Sequence, residues 1–364
     1  KNLTFGRDYI IPTPFDPRLI HRIPPAVAKA GMNTGAARRP IVDMEAYELS
    51  LKTRMDPTAS ILRGINARAR ANQARLIFAD GDDPRVLRAA VTYQRSGLGQ
   101  ALVVGRKDDV REKLDQAGMT DAHREIEIVN AANTTHLDAY KDFLYNRLKR
   151  GGFDAQDIHR LAARDRHVFS ALMLAHGHAD GLVTGATRKS AHIMDRINHV
   201  FDADVINGAA GITALVHKGR IVFIADTLVH EWPDEEDLAN IAERGATVAK
   251  NMGLEPRVAF VSFSTFGYPV SERATKMARA ADVLDARGVD FEYEGEMTVD
   301  VALNPTAQAN YPFSRLTGPA NILVVPARHS ASISVQRVQE MAGGRVLGRG
   351  LAGVVGGGRG WSAA

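Results

Sequence analysis

The chain has 364 residues, 45% of them hydrophobic and 24% charged, with a formal net charge of +4. This composition is typical of a soluble globular protein with room for two domains, and no apolar run reaches the roughly 18 residues of a membrane span. The absence of cysteine excludes disulfides and thiolate sites, and we expect a cytoplasmic protein. The chain begins with lysine and has no secretory signal, so we also expect it to be part of something longer.

The positive charge is confined to the first segment, because residues 1–75 hold 13 Lys/Arg against 6 Asp/Glu. These arginines are not interleaved with aromatic residues, so we expect no nucleic-acid partner. Prolines at positions 12, 14, 17, 24 and 25 predict extended chain with at most a short helix over residues 1–25. The short helical stretches that follow predict the end of one domain and a linker.

A regular alternation of strands and helices begins at Arg75. "RLIFAD", "ALVVG" and "IEIV" are apolar strands separated by amphipathic helices, and "GLVTG", "RIVFIAD", "RVAFVSF" and "NILVVPA" continue the pattern. Apolar strands alternating with helices are typical of a parallel sheet covered on both faces. The sequence therefore predicts an α/β fold, a doubly wound sheet in two lobes that split near residues 195–225.

Ligands of open α/β sheets bind at the carboxyl ends of strands, beside helix N-termini. The first such end is "VTGATRKS", where Gly185 allows a tight turn and a polar group follows: Thr187, Arg188, Lys189 and Ser190. Hydroxyls, cations and free N–H groups at one corner predict a phosphate-sized anion site. The alternative is a capped helix with two solvated cations.

The second strand end is "SFSTFGYPVSE", in which Ser262, Ser264 and Thr265 follow a buried strand. Their hydroxyls suit hydrogen bonds to a phosphate or a pantetheine amide. Serine and threonine near turns also cap backbone groups, so that interpretation stays open.

Two further strand ends carry charged residues. Asp226 ends "RIVFIAD", and the acidic run 234–237 has the composition of a helix start. "FSRLTGPANILVVPARHS" places one polar group before a strand and another after it: Arg315, Thr317 and Asn321, then Arg328, His329 and Ser330. The second group has the residue types of an acyl-transfer relay, although a lone triplet does not establish one.

Other ligand classes have weaker signals. His176 and His178 lie two residues apart without a third ligand at zinc spacing, so we expect no metal site. The chain has no G-x-x-x-x-G-K-[ST] loop and no G-x-G-x-x-G between a strand and a helix, which argues against kinase, ATPase and dinucleotide-dehydrogenase functions.

Six blocks resemble the phosphate acetyltransferase/butyryltransferase family in order and spacing. They are "GDDPRVLRAA" (81–90), "ADGLVTGAT" (179–187), "IADT" (224–227), "EPRVAFVSFSTFG" (255–267), "YEGEMTVDVALNP" (293–305) and "GPANILVVPA" (318–327). The resemblance covers about residues 65–350. It implies a two-lobed fold of the isocitrate/isopropylmalate dehydrogenase-like type, a cleft for a CoA thioester and dimerisation through the second lobe.

The first 60 residues resemble another family. "GRDYIIPTPFDPRLIHRIPPAVAKAGM" (6–32) is similar to the carboxyl-terminal end of bacterial malic enzymes, and large NADP-dependent malic enzymes carry a phosphotransacetylase-like domain after their malic enzyme domain. We therefore expect residues 1–60 to end a malic enzyme domain, and residues 61–364 to form the appended domain. Its first lobe is about 61–200 plus C-terminal elements, and its second about 201–320. NADP and a divalent metal would bind only upstream.

The chain departs from the acetyltransferase pattern at two places. An ungapped match puts Leu148 where the family carries an arginine, and no aspartate or glutamate follows Glu340, although the family has an aspartate near its carboxyl end. The resemblance implies that this aspartate helps to deprotonate CoA, and loss of a general base costs about 10²–10⁴ in rate.

The C-terminal tail is rich in glycine. Nine glycines within residues 343–360 predict a poorly ordered tail.

Three functions remain open. The leading hypothesis is a regulatory domain whose cleft binds acetyl-CoA, with inhibition implied by the resemblance. Its polar wall would consist of Thr187, Arg188, Lys189, Ser190, Ser262, Ser264, Thr265, Arg315, Thr317 and Asn321. The second is a working phosphate acetyltransferase in which Ser264 or Asp226 assists thiol activation. The third is an oligomerisation module without a ligand.

Overall fold

The computed structural model describes residues 19–55, 57–202, 208–217, 219–342, 345–352 and 362–363. The chain divides into two compact units, residues 1–64 with 217–220 and residues 65–216 with 221–364. Helices α1 (Leu19–Asn33) and α2 (Met44–Met55) lie in the first unit, and α3 (Pro57–Ala71) includes residues of both.

Helix α1 overlaps the end of the segment predicted as extended chain with at most a short helix over residues 1–25. It begins at Leu19 and contains Pro24 and Pro25 in its interior. Proline's fixed φ is compatible with a helix, and its cost there is a missing N–H donor and crowding of the preceding turn. That cost does not prevent a helix at this position. Residues 1–18, which make up most of the predicted extended segment, lie outside the described residues.

The first half of the second unit contains four strands and six helices in the expected alternation. They are β1 (Ala74–Phe78), α4 (Pro84–Arg95), β2 (Gly99–Val104), α5 (Lys107–Gln116), β3 (Glu127–Val129), α6 (Leu137–Leu148), α7 (Ala155–Arg164), α8 (Arg166–Ala175), β4 (Gly181–Val183) and α9 (Ser190–Asn198). Short 3₁₀ turns occur at Thr120–Arg124, Ala131–Asn133 and Lys149–Gly151.

The second half continues the same alternation. Its elements are β5 (Ala210–His217), β6 (Arg220–Ala225), α10 (Glu235–Asn251), β7 (Arg257–Val261), α11 (Glu272–Arg287), β8 (Glu292–Met297), α12 (Val299–Leu303), α13 (Pro305–Gln308), β9 (Ile322–Val324), α14 (Arg328–Ala342), β10 (Arg345–Ala352) and β11 (Ser362–Ala363).

The strands form one mixed sheet in the order β3-β2-β1-β4-β11-β10-β5-β6-β9-β7-β8. Pairs within β3-β2-β1-β4 are parallel, as are β6 with β9, β9 with β7, and β7 with β8, whereas β10 runs antiparallel to β5 and β11. The chain passes from β1 outward to β3 and returns on the other side of β1 with β4. This reversal is the kind of place where α/β sheets bind ligands.

Successive residues of the strands face opposite layers of helices. Phe78, Ala101 and Val103 pack in one cluster with residues of α4 and α5. Their neighbours Ile77, Leu102 and Val104 pack with residues of α6, α7 and α8. Because side chains of a strand alternate between its faces, strands with no polar face require helices on both sides. The predicted α/β class and doubly wound arrangement are confirmed.

Helix starts follow the capping pattern expected from the sequence. Asp234 accepts a hydrogen bond from the Asp237 N–H, and Asp237 completes a capping box at the start of α10. The structural interpretation of the 234–237 acidic run is therefore confirmed. None of the described helices is long and apolar enough to cross a bilayer.

The C-terminal tail differs in part from its prediction. Residues 345–352 form β10, which pairs with β5, so the expectation of poor order is wrong for them. Backbone pairing does not need the side chains that glycine lacks, and Leu351 is buried there. Residues 343–344, 353–361 and 364 lie outside the described residues. The boundaries of the two predicted lobes, and the boundary at residue 60, stay predictions.

Candidate functional site

The corner after β4 is organised by a buried aspartate that follows β1. Asp80 is fully buried, and its carboxylate accepts the N–H groups of Gly185 (3.0 Å) and Ala186 (3.2 Å) and the hydroxyl of Thr187 (2.5 Å). Gly185 has φ +97°, a conformation that glycine adopts without strain. The carboxylate thus closes the turn and fixes where the next residues begin.

The residues predicted as an anion site lie at this corner. Thr187, Arg188, Lys189 and Ser190 are exposed. Lys189 is the N-cap of α9 but makes no side-chain cap bond, and Ser190 is the first helical residue. Ser190 lines a cleft, whereas Arg188 and Lys189 precede it and are not among the cleft-lining residues.

The cleft has a volume of about 780 Å³. This falls within the range of ligand pockets, roughly 300–1,000 Å³. Three segments line it: one face of α9 along its whole length, the loop after β6 and the first turns of α14. The lining residues are Ser190, Ala191, Met194, Asp195, Asn198, Thr227, Leu228, Val229, Glu231, Arg328, His329, Ser332 and Ile333. The structure thereby brings together residues from three of the four strand ends chosen from the sequence.

Asp226 holds the loop of this cleft in place. It is 2% exposed, and its carboxylate accepts the N–H groups of Gly211 (2.7 Å), Leu228 (2.8 Å), Val229 (3.1 Å) and His230 (2.7 Å), with His230 Nδ1 at 2.8 Å. A carboxylate offers about four lone-pair sites. The Asp226 carboxylate is therefore directed at backbone N–H groups, and Asp226 is not among the cleft-lining residues.

Arg328 brings a guanidinium to the cleft. Its backbone N–H donates to His230 O at 3.3 Å, and Nη1 donates to Leu228 O at 3.4 Å. Nη2 lies 3.7 Å from Glu231 Oε2. Among the described residues, no hydrogen bond joins the side chains of Arg328, His329 and Ser330, so the geometry does not assemble them into a relay.

The hydroxyl residues at the second strand end do not line the cleft; these are Ser262, Ser264 and Thr265. Ser264 is fully buried and donates to Glu296 Oε1 at 2.8 Å, and the same oxygen accepts Gly267 N–H at 2.7 Å. The Thr265 hydroxyl lies 3.1 Å from the Thr298 hydroxyl and accepts the Thr298 N–H. Ser262 is half-buried. These hydroxyls join the loop after β7 to the end of β8.

Three predicted site residues lie at the amino ends of the strands, away from the cleft: Arg315, Thr317 and Asn321. Asn321 directly precedes β9, and its amide side chain bonds the backbone of Arg257 and Glu255 before and at the start of β7. Thr317 donates twice to Glu292, the first residue of β8. These contacts belong to the amino ends of the parallel strands, whereas the cleft lies at the carboxyl ends.

Arg315 is bound by carboxylates at that amino edge. Its guanidinium contacts Glu294 (3.1 Å) and Asp285 (2.6 Å) and lies over the Tyr293 ring, 4.6 Å from its centroid. The pKa of Tyr293 is raised to about 12 by burial, with the nearby Asp285 carboxylate adding to it. The sequence contained a signal for this placement, because residues leading into a parallel strand lie at its amino end.

The two histidines considered for metal binding form an aromatic cluster. Tyr140 Oη lies 2.5 Å from His178 Nδ1, and the His136 and His178 rings are 4.2 Å apart. Burial raises the pKa of Tyr140 to about 12, so the phenol keeps its proton beside the imidazole. Within the described ranges, no group of three or more His, Asp or Glu side chains is arranged to hold a metal ion.

The family model described as phosphate acetyl/butaryl transferase matches residues 60–355. The chain belongs to this family. The NADP-dependent malic enzyme of Rhizobium meliloti is 47% identical over 350 residues, which are 96% of this chain and 46% of that protein. This chain thus spans about half the length of the malic enzymes it matches, over their C-terminal portion.

Relatives of the family itself are more distant and cover more of their own length. The phosphate acetyltransferase of Thermoanaerobacterium thermosaccharolyticum is 28% identical over 304 residues, 79% of this chain and 89% of that protein. A phosphotransacetylase structure from Streptococcus pyogenes superposes with a TM-score of 0.72 at 26% identity, covering 81% of this chain and 90% of the other. The phosphate acetyl/butaryl transferase fold therefore extends over most of the chain.

Proposed function

We propose that this chain is the acetyl-CoA-binding regulatory and oligomerisation domain of an NADP-dependent malic enzyme. The upstream part would carry out the oxidative decarboxylation of malate to pyruvate, with its own NADP and divalent metal. The observation that supports this most directly is the cleft of about 780 Å³, which combines the Arg328 guanidinium with the starts of two helices, α9 and α14.

Binding and turnover place different demands on such a cleft. Recognition of a CoA thioester needs cations and N–H groups, whereas acyl transfer also needs an acceptor for the thiol proton, whose reference pKa is near 8.5. Asp226 is buried and accepts four backbone N–H groups, and Ser264 is buried against Glu296, so neither residue considered for thiol activation lines the cleft. The sequence has no carboxylate after Glu340. These features favour ligand binding without acetyl transfer through Asp226, Ser264 or a C-terminal carboxylate.

Regulation follows if acetyl-CoA has different affinities for two states of the enzyme. Coupling between sites is reciprocal, so a ligand that inhibits malate turnover by stabilising one state binds less tightly when the malate site favours the other. We propose inhibition as the direction. Homo-oligomerisation through the second lobe would supply two subunit arrangements, one for each state of the enzyme.

Calorimetry of acetyl-CoA against this chain tests the proposal. We expect one saturable site, and in a longer chain that includes the malic enzyme part we expect malate oxidation to fall as acetyl-CoA is added. Absence of binding would contradict the proposal, and so would binding that leaves malate oxidation unchanged.

An active phosphate acetyltransferase is the second candidate, because the family match and the relatives of that name favour it. It predicts acetyl phosphate formation from acetyl-CoA and phosphate. Robust turnover that is lost in Arg188→Ala would overturn the regulatory proposal.

An oligomerisation module without a ligand is the third candidate. Phe263, Tyr268 and Val270 are 62%, 83% and 84% exposed on one segment after β7, and exposed apolar patches are typical of interaction sites. This candidate predicts a dimer or larger species by light scattering together with no heat of acetyl-CoA binding.

A further inference from the structure

Charges of both signs meet in the cleft described above. The cation Arg328 comes from the start of α14, and the carboxylates are Glu231 from the loop after β6 and Asp195 from α9. An anionic ligand that enters therefore meets carboxylates as well as the guanidinium.

The Arg328 guanidinium is loosely held by its neighbours. Its contacts with Leu228 O and Glu231 Oε2 measure 3.4 Å and 3.7 Å, whereas charge-assisted N–H···O bonds measure about 2.7–2.9 Å. The Arg328 side chain is 45% exposed and the Glu231 side chain 61% exposed. Exposed ion pairs contribute about 0–1 kcal/mol, so a better anion can displace Glu231.

The surroundings of Arg328 favour an anion at this point. Arg328 is the first residue of the 15-residue helix α14, and its backbone N–H is tied to His230 O, which keeps the side chain at the cleft. Ser190 begins α9 on the same cleft. Helix starts favour negative charge, and the planar guanidinium matches two phosphate oxygens at once.

We propose that Arg328 binds a phosphate group of the ligand and that Glu231 is an internal competitor for the same guanidinium. Glu231 neutralises Arg328 while the cleft is empty, and it must release the guanidinium when the ligand phosphate arrives. Removal of its charge then tightens binding, whereas removal of the guanidinium weakens it. This inference rests on the proposed function, because it takes a CoA thioester as the occupant of the cleft.

A double-mutant cycle tests the competition. Acetyl-CoA is titrated by calorimetry into the 364-residue chain and into Glu231→Gln, Arg328→Gln and the double variant. We expect about threefold to tenfold tighter binding for Glu231→Gln, at least about tenfold weaker binding for Arg328→Gln, and no gain from Glu231→Gln when Arg328 is absent. A gain of affinity is the informative readout, since a purely structural role of Glu231 would not produce one.

Two controls test whether the effect depends on the position of the charge and on the phosphate of the ligand. Asp138→Asn removes one negative charge from a side chain that is 89% exposed on α6 and does not line the cleft, so it should leave affinity unchanged. Inorganic pyrophosphate, titrated in place of acetyl-CoA, should follow the same order of affinities if phosphate is the group recognised.

The outcomes are distinct. The inference is wrong if acetyl-CoA binds the original chain but Glu231→Gln does not tighten it, or if the gain persists without Arg328. If acetyl-CoA does not bind while pyrophosphate follows the predicted order, the proposed function fails and the role of Arg328 and Glu231 stands.

Discussion

Thr187 donates its hydroxyl to Asp80 at 2.5 Å across 107 positions of sequence, and this bond joins the end of β1 to the corner after β4. Two backbone N–H groups share the same buried carboxylate. The corner that carries Arg188 and Lys189 is therefore set by a residue that is itself inaccessible to ligand.

Thr187→Val keeps the shape of the side chain and removes its hydroxyl. We expect a loss of about 1.5–3 kcal/mol in the free energy of unfolding, because a hydrogen bond to a charged group is broken, together with weaker acetyl-CoA binding. Urea denaturation and calorimetry measure the two effects. Thr92→Val is the matched control, since Thr92 bonds only a carbonyl of its own exposed helix face. Equal losses in both variants would contradict a special role for the Thr187–Asp80 bond.

Asp226→Ala removes the acceptor of four backbone N–H groups. We expect destabilisation of at least about 3 kcal/mol, since each buried donor left without a partner costs about 1–3 kcal/mol. Hydrogen exchange should accelerate at Leu228, Val229 and His230, which lie on the cleft loop. A variant that kept its stability and its amide protection but lost acetyl transfer would show instead that Asp226 is a catalytic base.

Arg315→Met tests whether Arg315 belongs to the ligand site. Its removal leaves Glu294, 8% exposed, without its guanidinium, and breaking such a pair costs about 3–5 kcal/mol when buried. Because Arg315 is 42% exposed, we expect about 1–3 kcal/mol after allowing for solvent screening. The affinity of the variant for acetyl-CoA should stay within about twofold of that of the unsubstituted chain. Arg279→Met, from an exposed pair 3.6 Å long, is the control and should change stability by less than about 1 kcal/mol.

The lowered pKa of His178 predicts a loss of stability in mild acid. Burial lowers its pKa in the folded protein, with the charges of His136, His176 and Arg75 acting in the same direction. Unfolded histidine has a pKa near 6.5, so the unfolded state takes up the proton first. The contribution of neutral His178 to the free energy of unfolding is therefore complete above about pH 6.5 and declines as the pH falls below that value. Protonation makes Nδ1 a donor, and the Tyr140 hydroxyl would then accept from it.

Urea denaturation at about pH 7.5 and about pH 5.5, on either side of the histidine pKa, measures this effect. His178→Asn should lose less stability between the two values than the original chain does, whatever its stability at the higher pH. His159→Asn, at an exposed position, is the control. An unchanged pH dependence in His178→Asn would show that other groups cause the acid sensitivity.

The alternation of strands and helices could be predicted from the sequence because it depends on local patterns. Ile77 and Phe78 are adjacent apolar residues that face opposite helix layers, and a strand without a polar face predicts this arrangement. The hydroxyls and cations of residues 187–190 were equally visible, since they are consecutive.

The partners of the strand-end carboxylates were decided only by the tertiary structure. "RLIFAD" and "RIVFIAD" each end in aspartate, but nothing local distinguishes a carboxylate that takes a proton from one that holds a loop. Asp80 finds its donors 105–107 positions away, and Asp226 uses Gly211 as well as its own loop. Backbone groups that are distant in sequence decide how many hydrogen bonds each aspartate carboxylate accepts. These groups reach the carboxylate only when the sheet assembles.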